Sequence, residues 1–297
     1  MKVLTDFDGT LTNIEHEFNF ECHYILRVLE ERFGMPPEET QKLLQSANAE
    51  LQRSPRSYGW TCGPKITAFC DEDLFMMMSS AMTLLDTWKS NPPEEIASIL
   101  NKYEGVVFYD IVEDAHQAMN LEPLCPGNVP DAETIQALQT LLDRDCEIVV
   151  ASNSPAQRII DKFEYAGLLP VDHDNNPSAH FRVRGNVGKY KLGNTPNRLD
   201  FGGRLVDVDR PFFEAVIREE RPQVIIGDVF SLDLALPIDM LRRDPLVYED
   251  LQLYLRTRSY TPQWALSECT RMSQQELAGT MRIIGNYRDL PDSILRH

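Results

Sequence analysis

Apolar residues recur along this chain in two different periods, and the places where the period changes divide it. Lys2-Val3-Leu4-Thr5 is a short apolar run that stops at Asp6, and Asp8-Gly9 breaks it, which predicts a strand entering a tight loop. From Ile14 the spacing becomes three and four. Ile14, Phe18, Cys22, Ile25, Leu29 and Phe33 share one helix face, ended by Gly34 and Pro36-Pro37. Further helices are expected over about 37–51, 65–89, 94–103 and 110–119, with a Ser-, Pro- and Gly-rich loop over 54–64. Residues 13–121 therefore read as almost wholly helical.

Strand-length patterns return after Leu124-Cys125-Pro126-Gly127. Asp131 is placed to cap a helix whose buried stripe is Ile135, Leu138, Leu141 and Leu142. Glu147-Ile148-Val149-Val150-Ala151 is a continuous apolar run, as in a strand buried on both faces, and it ends at Ser152-Asn153-Ser154. A helix over about 155–166 closes at Gly167. Residues 181–208, interrupted by five glycines, read as β-hairpin material, and Arg210-Pro211 opens a helix to about Glu220. Gln223-Val224-Ile225-Ile226 predicts a second buried strand, ending at Gly227-Asp228. In the last fifty residues the clearest signal is Ser273 with Glu276, a capping box for a late helix.

Strands alternating with helices predict an α/β fold built on a doubly wound parallel sheet, which binds ligands at the carboxyl ends of its strands. The expected organisation is a Rossmann-like core over 1–12 and 122–260, an inserted helical segment over 13–121, and a helical tail over 261–297 packed on the core. Three polar clusters fall at expected strand ends: Asp6 to Thr12, Ser152 to Ser154, and Gly227 to Asp233.

Composition narrows the chemistry. The net charge of −17 argues against a nucleic-acid partner, whose phosphates need clustered Lys and Arg, and against an anionic membrane. A phosphorylated substrate would also be repelled by that average field, so a phosphate site here requires local cations. The six cysteines have no zinc-ligand spacing and predict reduced thiols in a cytoplasmic protein, and the first residues predict no signal peptide. Asp6 and Asp8 lie two apart, so near a strand end one carboxylate can attack phosphorus while the other manages the leaving-group proton. Mg²⁺ takes oxygen ligands and would relieve the repulsion between carboxylate and phosphate, and Asp6 and Asp228 can supply them. Gly9 lets the loop bend tightly and brings its N–H close to a phosphate.

Asp6-Phe7-Asp8-Gly9-Thr10-Leu11-Thr12, Ile148-Val149-Val150-Ala151-Ser152, and Gly227-Asp228 with Asp233 resemble, in that order, motifs of the haloacid dehalogenase superfamily. The resemblance covers residues 1–12 and about 122–240. It implies that Asp6 is nucleophile and metal ligand, and that Asp8 is general acid and base and lends its carbonyl to Mg²⁺. It further implies Asp228 and Asp233 as metal ligands, and Gly9, Thr10, Ser152, Asn153 and Arg210 around the phosphate. A lysine is usual at the basic position; Arg210-Pro211 occupies it here, with Lys189 and Lys191 as the alternatives. The insertion between the first two motifs corresponds to a helical cap. The second aspartate, Asp8, favours a phosphate ester over a halide, since a halide needs no proton on leaving. The implied activity is a Mg²⁺-dependent phosphatase acting on a small phosphorylated metabolite, with a phosphomutase or a non-catalytic binding protein as the alternatives.

Overall fold

The computed structural model describes residues 1–295. By contact density the chain forms two compact units. One comprises Met1–Ile14, Thr61–Ala68 and the chain from Leu124 onward; the other comprises Glu15–Trp60 and Phe69–Pro123. In chain order, β1 (Lys2–Thr5) is followed by α1 (Glu15–Glu31), α2 (Pro37–Arg53), β2 (Gly59–Cys62), β3 (Lys65–Phe69), α3 (Leu74–Trp88), α4 (Ala97–Lys102) and α5 (Phe108–Met119). Then come α6 (Ala132–Leu142), β4 (Glu147–Ala151), α7 (Ala156–Tyr165), β5 (Val171–Asp172), β6 (Phe181–Arg184), β7 (Arg198–Phe201), β8 (Arg204–Asp207) and α8 (Pro211–Glu220). The chain ends with β9 (Val224–Gly227), α9 (Ala235–Arg243), β10 (Gln252–Arg256), α10 (Gln263–Gln274), β11 (Met281–Ile284) and α11 (Leu290–Leu295).

The first unit is built on a seven-stranded sheet in the order β11-β10-β9-β1-β4-β6-β5. Every adjacent pair in it is parallel. Val3, Ile148, Val150, Val224 and Ile226 bury one face of the central strands against Leu138, Leu141, Ile159 and Phe163. Each such aliphatic side chain taken out of water contributes about 1.5–3 kcal/mol. β1 lies between β4 and β9, with Thr5 in register with Val150 on one side and Ile226 on the other. The chain thus crosses to opposite sides of β1, which makes its carboxyl end the switch point where such sheets open a crevice. The α/β expectation holds.

The second unit is mainly helical. Ile25, Leu29, Leu43, Ala47, Leu51, Leu85, Ile111 and Val112 close its core, with Met77 and Met78 packed against it. Asp73 caps α3 by accepting from the N–H groups of Phe75 and Met76.

Several expectations are corrected. Residues 59–69, read as a loop running into a helix, form the β2–β3 hairpin, because Lys65-Ile66-Thr67-Ala68-Phe69 carries β-branched residues that suit a pleated strand. Most of that hairpin groups with the first unit. Within the span expected as a loop, Tyr58 donates to Glu50 and Trp60 to Ser79. Phe181–Arg184 is a core parallel strand, β6, and within 181–208 the hairpin is confined to β7 and β8. Beyond residue 261 the chain is not a helical tail alone: β11 extends the sheet beside β10, and residues 296 and 297 of the expected tail lie outside the described residues. Ser273 sits in the last turn of α10, bonded to the Thr270 carbonyl, and Glu276 pairs with Arg242, so the two form no capping box.

Candidate active site

β1 ends where its neighbours end, and the chain turns at once. Phe7 is 1% exposed and packs against Phe163 in a tilted arrangement with ring centroids 5.3 Å apart, which anchors the loop in the core. Its carbonyl accepts from Leu11 N–H at 2.8 Å, closing the turn. Asp6 and Asp8, on either side of this anchor, are left half-buried at the strand end. Gly9 has φ of +81°, in the left-handed region, and a methyl there would come within 2.1 Å of an Asp228 oxygen. The glycine is required both for the turn and for the approach of Asp228.

Asp6, Asp228 and Asp233 present carboxylate oxygens that all lie within 4.8 Å of one another. Asp228 follows β9 directly. Asp233 returns to the same place because the next turn, Phe230–Leu234, is a π-helical one. A Cβ on Gly227 would be 2.3 Å from the Asp233 side chain, so this approach too depends on a missing methyl. The Asp233 Oδ2 also accepts from Val229 N–H at 3.1 Å.

The cation between these acids is Lys189. Its Nζ donates to Asp6 Oδ1 at 2.6 Å and to Asp233 Oδ1 at 2.8 Å, and the residue is 2% exposed. The structure therefore corrects Arg210 as the basic group at the carboxylates. Arg210 is fully buried, and its guanidinium donates to the carbonyls of Lys189 and Thr67. Asn153, expected at the phosphate, accepts from Lys189 N–H at 2.8 Å. Both main-chain groups of Lys189 are thus held, by Asn153 and Arg210 in turn. Lys191 is exposed, with its ammonium over the Phe212 ring.

Asp8 faces the end of β4. Its Oδ2 accepts from Ser154 Oγ at 2.7 Å and from Ser152 Oγ at 3.2 Å. Ser152 Oγ in turn accepts from Ser154 N–H at 3.0 Å. Thr10, expected around the phosphate, has its hydroxyl between two carboxylates, 2.8 Å from Asp228 Oδ1 and 3.3 Å from Asp6 Oδ2. Short polar side chains in a loop find partners close at hand, and here those partners are the acids.

Burial pushes the Asp6 carboxyl well above its ordinary value; the Lys189 ammonium pulls it down, while Asp233, Asp228 and Asp8 add to the rise. Burial alone would lower the Lys189 ammonium, but Asp233 and Asp6 outweigh it and hold the group charged. The acids thus crowd charge that Lys189, together with Arg256 near Asp228, relieves only in part. The donor set fits a hard divalent cation: it is made of oxygens, it is compact, and it carries a surplus of negative charge. Asp6, Asp228 and Asp233 could hold such a cation.

Three contributors were not read from the sequence. Ser154 lies in a recognised polar cluster but has no motif of its own. Arg258 and Tyr260 follow β10, a strand that went unassigned, and carry no signal at all. Arg258 donates to the carbonyls of Gly9, Thr10 and Thr12, and Tyr260 Oη donates to Asp228 Oδ2 at 2.8 Å.

No protein-family model matches the sequence, and no curated protein matches it. Solved structures do. A predicted phosphatase from Clostridium acetobutylicum is 16% identical, with 100% of this chain and 98% of that one covered at a TM-score of 0.46. A haloacid dehalogenase-like family hydrolase from Xanthomonas campestris is 12% identical over 100% and 91% at 0.45. A 2-haloacid dehalogenase from Pseudomonas syringae pv. Tomato is 12% identical over 99% and 98% at 0.39. In its three motifs the chain resembles the hydrolases of the haloacid dehalogenase superfamily.

Proposed function

We propose that this chain is a Mg²⁺-dependent phosphatase of small phosphate esters that carries the phosphoryl group on Asp6. The observation that supports this reading best is the meeting of Asp6, Asp228 and Asp233 around Lys189, with Asp8 held beside them by two serines. In this reading an Asp6 carboxylate oxygen attacks phosphorus and the bond from phosphorus to the ester oxygen breaks. Asp8 delivers its proton to that oxygen, and the alcohol leaves. Water then attacks the phosphoryl-aspartate, Asp8 takes the water's proton, and inorganic phosphate departs with Asp6 regenerated. Lys189 offsets the charge of attacking carboxylate and phosphoryl oxygens. Ser152 and Ser154 orient Asp8, and Ser152 turns its hydroxyl to a phosphoryl oxygen when substrate is present. Bound Mg²⁺ supplies neutralisation of the negative charge that carboxylate and phosphate share.

The free cysteines suit a reducing compartment such as the cytoplasm. Among the described residues no helix is long and apolar enough to cross a membrane.

A panel of phosphate esters, assayed with and without Mg²⁺, tests the reading. Wild-type protein should release inorganic phosphate only with the metal, and Asp6→Asn should reduce turnover on the order of 10⁴-fold. Undiminished turnover in that variant overturns the mechanism. An isomerised sugar phosphate in place of free phosphate would make the chain a mutase.

A further inference from the structure

The segment that follows β10 reaches back some 250 residues to the loop after β1, and it does so through two side chains at once. Arg258 places Nη2 2.7 Å from the Thr12 carbonyl and 3.2 Å from that of Thr10, while its Nε donates to the Gly9 carbonyl. A guanidinium presents its donors in one rigid plane, so three consecutive-loop carbonyls on one arginine fix the loop's shape rather than merely its position. Tyr260 Oη, two residues on, donates to Asp228 Oδ2 at 2.8 Å. The other oxygen of Asp228 takes the Thr10 hydroxyl at 2.8 Å. The Asp228 carboxylate is therefore held at both ends, once from the loop and once from the segment after β10.

That segment is itself rigid. Arg258 N–H donates to Thr261 Oγ1 at 2.7 Å, Thr261 N–H returns to the Arg258 carbonyl at 3.1 Å, and Thr257 N–H donates to the Ile284 carbonyl at 2.9 Å. The contact with the loop is also close-fitting: a methyl on Gly9 would come within 2.5 Å of Tyr260 Oη. Arg258 thus spends donors on the loop that carries Asp6 and Asp8, and Tyr260 donates to Asp228 itself.

Resting on the phosphatase reading, we infer that Arg258 and Tyr260 are positioning residues that preset the cation site, Arg258 by shaping the Gly9–Thr12 loop and Tyr260 by fixing the rotamer of Asp228. A carboxylate oriented before the cation arrives binds it with less reordering. Removing such an outer partner weakens metal binding by roughly 10–100-fold.

Tyr260→Phe removes one hydroxyl and keeps the ring, so it tests the idea with little risk to folding. The measurements are Mg²⁺ titration by calorimetry on the full chain, melting temperature without metal, and kcat and KM for a phosphate ester at rising Mg²⁺. The expected result is a metal-free melting temperature within about 2 °C of wild type, Mg²⁺ affinity reduced about tenfold, and kcat recovered at high Mg²⁺ with KM unchanged. Arg258→Lys should weaken Mg²⁺ less than Arg258→Met, because a lysine keeps the charge but loses the fork. If wild type binds Mg²⁺ and Tyr260→Phe binds it within twofold as tightly, the positioning role is overturned while the phosphatase reading stands. A lowered melting temperature with unchanged Mg²⁺ affinity overturns it equally, leaving a structural role. If wild-type protein binds no Mg²⁺, both readings fall together.

Discussion

Two groups of acids in this molecule look alike by ligand geometry and differ in how their charge is met. Asp6, Asp228 and Asp233 bring their oxygens within 4.8 Å, and so do the ligand atoms of His173, Glu219 and Glu220. At the second group the acids are answered by cations. Glu220 takes the Arg182 guanidinium, Arg184 at 3.0 Å and Lys2 at 3.4 Å, and Glu219 takes Arg184 at 2.8 Å. At the first, Asp6 and Asp233 share one ammonium, and Asp228 takes two hydroxyls and interacts with the charge of Arg256. A cluster whose charge is already met is an ion-pair network that ties β6 to α8. A cluster left with surplus negative charge at a sheet's switch point is ready for a cation. Ligand spacing alone does not separate the two; the count of opposing charges does.

The comparison can be broken most sharply at the cations. Lys189→Met should lower turnover by about 10³-fold, the scale of losing one preorganised charge donor, with steady-state phosphate release as the readout. Arg184→Met at the other cluster should leave turnover of the folded protein within twofold. An equal loss in both would show that the difference in charge balance has no chemical meaning.

Stability should respond in the opposite sense. Arg182 and Glu220 are 3% and 2% exposed, so Glu220→Gln strands a buried guanidinium and should cost about 3 kcal/mol in urea unfolding. Next in size, Mg²⁺ at about a hundredfold excess over its dissociation constant should stabilise the wild-type fold by about 2.7 kcal/mol. Denaturation with and without the metal should show that gain lost in Asp228→Asn and kept in Glu220→Gln. A gain that vanishes in Glu220→Gln instead would move the cation to the second cluster.

The smallest effect belongs to a third buried acid, in the other unit. Glu21 lies 3.0 Å from His116 and is fully buried. Burial raises the Glu21 carboxyl above its ordinary value, against the pull of His116. Burial would lower the His116 imidazole, but the hydrogen bond and charge of Glu21 outweigh it and raise it. Both groups hold protons more tightly folded than unfolded. Stability should therefore be greatest on the acid side and decline as pH rises from the ordinary glutamate range through the raised histidine value. Urea midpoints from pH 5 to 8 check this, and Glu21→Gln should flatten the slope. A slope of the opposite sign would refute the assignment.

What the sequence showed of this molecule follows the strength of its local signals. β1, β4 and β9 were legible because uninterrupted apolar runs are what a doubly covered strand needs, and their ends delivered Asp6, Ser152 and Asp228 together. β6 was not, because Phe181-Arg182-Val183-Arg184 alternates as an exposed hairpin strand would. Arg182 is buried and Arg184 half-buried, and both are met by Glu220 and Glu219 reaching from α8, a tertiary fact invisible at that distance. That same misreading left Lys189, which lies just past β6 among glycines that suggested turns, as one of two alternatives to Arg210. Arg210, beside a proline at a helix start, looked the better phosphate ligand, yet its guanidinium holds the lysine's carbonyl. Asn153 and Thr10 were recognised as site residues but not for what they touch. Polar side chains at strand ends announce a site; which of them face the ligand depends on partners brought from far along the chain.

The central place of β1 has a consequence for how this protein is made. β1 is synthesised well before its neighbours, which begin at residues 147 and 224, and before the arginine that shapes its loop, residue 258. At roughly 5–20 residues per second, the ribosome needs tens of seconds to supply them. Through that interval a strand destined for the middle of a sheet has both edges open. The acids that are to meet at its end cannot do so before most of the chain has emerged.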